Sequence, residues 1–124
     1  MTIAYWCVLV MIIFPYFFTG LAKSGGDFNN YSPRSFLEKQ TGWRKRAHYI
    51  QLNCFETTPA FGLAIIIAHF AHAPQLTINY LAILFIISRV IYALCYLGNK
   101  PLLRSLFWTI GMILIISLFC ISTA

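Results

Sequence analysis

The chain has 124 residues, of which 60% are hydrophobic, 17% aromatic and only 10% charged. A soluble domain of this length has no core large enough to bury so much apolar surface, so the composition excludes a water-soluble bundle and points to one integral membrane domain. The net charge of +6 does not indicate a nucleic-acid partner, because the basic residues gather in short gaps beside apolar runs, where they are topology signals, and no nucleic-acid motif accompanies them.

The first apolar run, "IAYWCVLVMIIFPYFFTGL" from Ile3 to Leu21, is close to the ~20 residues that cross a bilayer. It has no basic n-region, and it is longer than the ~7–15 residue apolar core of a signal peptide, so it reads as a retained span. The helix is predicted over residues 3–22. A polar loop follows over about residues 23 to 42, rich in Gly, Asn, Ser and charge.

The second helix is predicted over residues 43–71. At 1.5 Å per residue it is roughly 43 Å long, more than the ~30 Å hydrocarbon core. Its first turns, with Arg44, Lys45 and Arg46, therefore project into headgroups or water. Pro59 lies inside it and frees a backbone carbonyl.

"HAPQ" (residues 72–75) is a tight turn, and the third helix is predicted over residues 76–97. "GNKP" (98–101) is the next break, with Gly98 suited to a C-cap and Pro101 to a helix start. The fourth helix is predicted over residues 102–121. The expectation is an all-α, four-helix membrane bundle forming a single domain over residues 1–124.

Lys23, Arg34, Lys39, Arg44, Lys45 and Arg46 fall in or next to the first loop, and Lys100 and Arg104 near the third. The second loop and both tails carry no Lys or Arg. The positive-inside rule then predicts charged loops in the cytoplasm and both termini outside, which in a bacterial inner membrane is the periplasm. The cysteines Cys7, Cys54, Cys95 and Cys120 match no zinc or redox spacing and read as small buried hydrophobes. His69 and His72 lack the further ligands a metal needs, so no metal is expected.

The spans are not uniformly apolar. Arg46, Tyr49, Asn53 and Glu56 are spaced to share one stripe about 80° wide on the second helix, while Gln51 points nearly the opposite way. Arg89, Tyr92 and Tyr96 share one face of the third helix. An intramembrane charge costs at least ~2.5 kcal/mol and normally faces a bundle interior or wet cavity. Arg89 is thus the expected partner of Glu56, either as a packing ion pair or as part of a ligand site. A carboxylate, arginines, an amide and phenols together suit a small zwitterionic peptide. No Ser-His-Asp set, paired acid–base carboxylates or phosphate loop proposes another chemistry.

The run "RAHYIQLNCFETTPAF" carries Arg46-Ala47, Asn53-x-x-Glu56, Pro59 and Phe61. A second run, "RVIYALCYLGNKPLLRS", carries Arg89, Tyr92, Tyr96-Leu97-Gly98 and Arg104-Ser105, and "NNYSPR" occupies residues 29–34. In this order the blocks resemble the MAPEG family (membrane-associated proteins in eicosanoid and glutathione metabolism) in its bacterial branch, over essentially the whole chain.

The resemblance implies a homotrimer of four-helix subunits that binds glutathione between subunits near the cytoplasmic side and acts on lipophilic small molecules from the bilayer. By position, it places Arg46, Asn53, Glu56, Arg89, Tyr92 and Tyr96 in the glutathione site, with Glu56 at the amino group. Arg104 is placed near the sulfur as the catalytic cation. One departure is plain: animal members have an arginine four residues before the asparagine, where this chain has Tyr49. Arg46, one turn earlier on the same stripe, is the candidate substitute.

The resemblance implies a glutathione transferase or peroxidase. The alternatives are a non-catalytic lipid-binding or scaffold member of the same fold, and a small four-helix transporter. The last would place its essential carboxylate in the first helix, which has no acidic side chain.

Overall fold

The computed structural model describes residues 1–24 and 31–123. Asn29 and Asn30, which begin the "NNYSPR" stretch, and part of the first loop lie outside the described residues. Five helices form in chain order: α1 (Ile3–Ala22), α2 (Pro33–Glu38), α3 (Gly42–Phe70), α4 (Gln75–Leu97) and α5 (Pro101–Ile121). All but α2 are long and apolar enough to cross a membrane, at 20, 29, 23 and 21 residues. The fold is all-α, and the protein is a multi-pass membrane protein.

The first loop differs from expectation, because it contains α2. Ser32 precedes this helix and Pro33 opens it, a position where a missing N–H costs nothing. Leu37 buries its side chain beneath the helix, and Lys45 Nζ donates to the Glu38 carbonyl from α3. These contacts lay α2 against the first turns of α3.

The turns on either side of α4 close in the same way. The Ala73 N–H donates to Ala68 O at 3.1 Å after α3, and the Lys100 N–H to Cys95 O at 2.9 Å after α4. In each, the residue past the cap is left-handed, His72 at φ 60° and Asn99 at φ 57°. These are Schellman closures. Asn99, not Gly98, takes the left-handed position, a conformation asparagine tolerates better than most side chains.

The central pair, α3 and α4, is flanked by α1 and α5, each of which packs on both. Two apolar cores result. The one remote from the basic loops is built from Met11, Phe61, Ile65, Ile78, Phe85 and Leu118 with small alanines between them. Phe61 and Phe85 stack face to face at 4.2 Å. The other, at the end carrying α2, is built from Phe18, Leu37, Ala47, Ile50, Cys54, Tyr92 and Ala93.

A polar layer of Thr57, Thr58, Ser88 and Arg89 lies on α3 and α4 between these cores. Thr57, Ser88 and Arg89 are buried. Pro15 sits inside α1, so Met11 O lacks its helical donor. The Thr58 hydroxyl donates to Cys54 O of its own helix at 2.7 Å and lies 3.2 Å from Met11 O, so a side chain of α3 offers the freed carbonyl of α1 a shared proton. The cysteines are less uniformly buried than expected. Cys7 and Cys54 are buried, Cys95 is half-buried and Cys120 is exposed; all four are free thiols.

Candidate functional site

Two cavities open side by side at the end of the bundle that carries the basic loops. The larger, about 500 Å³, is lined by Tyr92 and Tyr96 of α4 and by Arg104, Ser105, Trp108 and Thr109 of α5. The smaller, about 310 Å³, is lined by Tyr49, Leu52, Asn53 and Glu56 of α3 and again by Tyr92 and Tyr96. The two tyrosines therefore form a shared wall, and the cavities are lobes of one candidate site.

Aromatic and cationic contacts hold that wall. Tyr92 and Tyr96 meet edge to face at 5.8 Å. The Arg89 guanidinium lies 4.3 Å from the Tyr92 ring and that of Arg104 lies 4.6 Å from the Tyr96 ring. Tyr49 approaches Tyr96 at 6.4 Å. Such cation–aromatic contacts fix ring orientation while leaving the guanidinium edges free for other partners.

Arg89 is 1% exposed, and its partners correct the sequence expectation. Its Nη2 donates to Asn53 Oδ1 at 2.5 Å and to Cys54 Sγ at 3.3 Å; it does not pair with Glu56. Helical spacing gives the face on which two residues lie, but not the height at which they meet across an interface. Here Arg89 stands level with Asn53 and Cys54, a turn short of Glu56. Glu56 is left exposed on the outer rim of the smaller lobe. Arg89 Nε is buried with no hydrogen-bond partner.

Arg46 also differs from its expected place. Its Nε donates to Leu97 O at 3.2 Å, which caps the carbonyl end of α4, and it lines neither lobe. Lys45 approaches Tyr49, its Nζ 5.2 Å from the ring centre. Of the residues expected from sequence, Asn53, Glu56, Tyr92, Tyr96 and Arg104 line the two lobes, whereas Arg46 and Arg89 brace their walls.

Trp108 and Thr109, which no sequence motif marks, also line the larger lobe. The signal was there, since they fall four residues after Arg104 and Ser105 and so repeat those positions one turn along α5. At the opposite end of the bundle, His69 Nδ1 sits 3.4 Å from Gln75 Oε1. Among the described residues, no three His, Cys, Asp or Glu side chains gather as metal ligands.

The MAPEG family model matches residues 3–124. The chain belongs to the MAPEG family. No curated protein and no solved structure matches it, so the residue roles in this MAPEG chain rest on its own geometry. That geometry offers a carboxylate at one lobe, a guanidinium at the other and two phenols between them, all at the end where the basic loops meet the membrane surface.

Proposed function

We propose that this MAPEG chain is a membrane-bound glutathione transferase or peroxidase for lipophilic electrophiles, working as a homotrimer. The observation that carries the reading is the shared tyrosine wall, with Glu56 and Asn53 on one side and Arg104 and Ser105 on the other. Lobes of about 500 and 310 Å³ fall in the size range of small-molecule sites, and their carboxylate, amide, phenols and guanidinium suit the ammonium, a peptide group and the thiolate of a tripeptide. Glutathione supplies a thiol nucleophile when bound.

In this reading Glu56 holds the ammonium, and the amide of Asn53 hydrogen-bonds a peptide group while Arg89 fixes its orientation. Arg104, half-buried at the mouth of the larger lobe, provides positive charge beside the sulfur. A nearby cation lowers a thiol pKa from about 8.5 and raises the reactive fraction at neutral pH. Ser105 adds a hydrogen-bond donor to the same region. A new sulfur–carbon bond then forms as the electrophile's leaving group departs with its electron pair, and Arg104 stabilises the developing charge. The chain's own thiols take no part.

Exposure of Glu56 on the single chain suits a site completed by a neighbouring subunit. The basic loops and this site face the cytoplasm of a bacterial inner membrane, with both termini periplasmic. A second reading, a lipid-binding member with no turnover, is favoured by Tyr49 in the arginine position and by the engagement of Arg46 with Leu97 O.

A conjugation assay with a general aromatic electrophile separates the two. Turnover that requires glutathione, and that Trp108→Ala weakens through the KM of the electrophile by about tenfold, supports the enzyme. Absence of turnover in folded protein rejects it.

A further inference from the structure

A third cavity lies on the α2 side of α3. It measures about 300 Å³ and is walled by Arg34, Leu37 and Glu38 of α2 and by His48, Gln51 and Phe55 of α3. Gln51, which sequence periodicity sets apart from the Asn53–Glu56 stripe, thus has a surface of its own. Leu52 lines both this cavity and the smaller lobe of the candidate site.

His48 Nδ1 and Gln51 Oε1, one turn apart on α3, are buried and approach each other without closing a full hydrogen bond. His48 is only 6% exposed. An imidazole and an amide that share only this loose contact keep hydrogen-bonding capacity for a ligand on the cavity wall. The wall also grades in polarity. Arg34 and Glu38 are exposed on α2 at the water end. His48 and Gln51 come next, and Leu52 and Phe55, 42% and 38% exposed, extend the wall deeper along α3 toward lipid. From His48 to Phe55 the helix descends about 10 Å, comparable to the distance from headgroup to upper acyl chain in a bilayer leaflet.

Charge, then hydrogen-bonding groups, then hydrocarbon is the order of a phospholipid. We propose that this cavity is a binding site for a single phospholipid with a primary-ammonium, zwitterionic headgroup. Arg34 takes the phosphate, and Glu38 takes the ammonium. The His48 ring lies at the level of the phosphate, the Gln51 amide N–H donates to an ester carbonyl, and an acyl chain runs along Leu52 and Phe55.

The headgroup class follows from the donors and acceptors. Glu38 accepts N–H bonds, which a quaternary ammonium cannot supply, and the lining holds one imidazole and one phenyl ring in place of a cage for such a cation. Glu38 disfavours an anionic headgroup by like-charge repulsion. The site does not depend on glutathione. A lipid seated there packs its chain on the back of the glutathione lobe through Leu52.

The test uses the full-length, delipidated protein in detergent without glutathione, titrated with short-chain phosphatidylethanolamine, phosphatidylcholine and phosphatidylglycerol and followed by native mass spectrometry and thermal shift. One phosphatidylethanolamine per chain is expected, bound about tenfold more tightly than the other two, the scale of one charge-assisted contact. Glu38→Gln removes that preference, and Arg34→Gln weakens all three lipids while Arg34→Lys restores part of the affinity. Both glutamine variants keep the lipid-free melting temperature of the parent. Binding that ignores the headgroup, a preference that survives both glutamine variants, or a photo-crosslinker at position 55 that captures a second copy of the chain in place of lipid overturns the proposal.

Discussion

The two ends of this bundle solve different problems with the same helices. Away from the basic loops, Phe61, Phe85, Ile65, Ile78 and Leu118 interlock around small alanines. Toward the basic loops, the same α3 and α4 carry Asn53, Arg89, Tyr92 and Tyr96, and two connected lobes replace close packing. In a bilayer, helix association depends on packing and interhelical hydrogen bonds because lipid is as apolar as leucine. The dry half can therefore hold the helices in register while the polar half keeps an open, charged site. The contrast teaches that polarity in these spans is local to one end and is anchored by packing at the other.

The contrast breaks if the dry half proves dispensable. Phe61→Ala removes the ring stacked on Phe85 and should cost about 3 kcal/mol of stability. The catalytic constants of the folded fraction should stay within about twofold, since Phe61 lines neither lobe. Unfolding in mixed micelles and kinetics at low temperature read the two effects separately.

Arg89→Met should do the reverse. It removes the donor to Asn53 and the cation over Tyr92 while keeping an unbranched side chain in the space. Glutathione KM should rise by about tenfold, the scale of one charge-assisted hydrogen bond, with stability changing less than in Phe61→Ala. An unchanged KM would show that the Arg89–Asn53 contact is packing alone.

Thr58→Val tests the layer between the halves and should have the smallest effect. It withdraws the hydroxyl that Cys54 O and Met11 O share opposite Pro15. An interhelical hydrogen bond in a membrane is worth about 0.6 kcal/mol on average, so a small loss of stability with unaltered kinetics is expected. A large kinetic effect would mean that α1 positions the site.

Much of this was legible in the sequence, and the reasons for the gaps are physical. The spans were readable because lipid demands long unbroken apolar helices. The Tyr49–Asn53–Glu56 stripe was readable because helical spacing fixes a shared face. α2 does not stand out in the sequence, because six residues with one buried side chain give too little periodicity, although Ser32-Pro33 is a helix-start signal.

Charge complementarity points Arg89 to Glu56, whereas the relative height of the two helices puts Asn53 within its reach. The engagement of Arg46 with Leu97 O was hidden because backbone acceptors do not show in residue types. Trp108 and Thr109 do not stand out, because α5 is largely apolar beyond its first turns and carries no continuous polar stripe above Arg104.

The central claim is that Arg104 activates a glutathione thiol in the larger lobe, and ultraviolet difference spectroscopy tests it most directly. Purified protein titrated with glutathione at neutral pH should develop a thiolate absorbance band that saturates with binding. Arg104→Ala should bind glutathione and show no band. A band that persists in Arg104→Ala, or its absence in the parent protein with glutathione bound, would contradict the account.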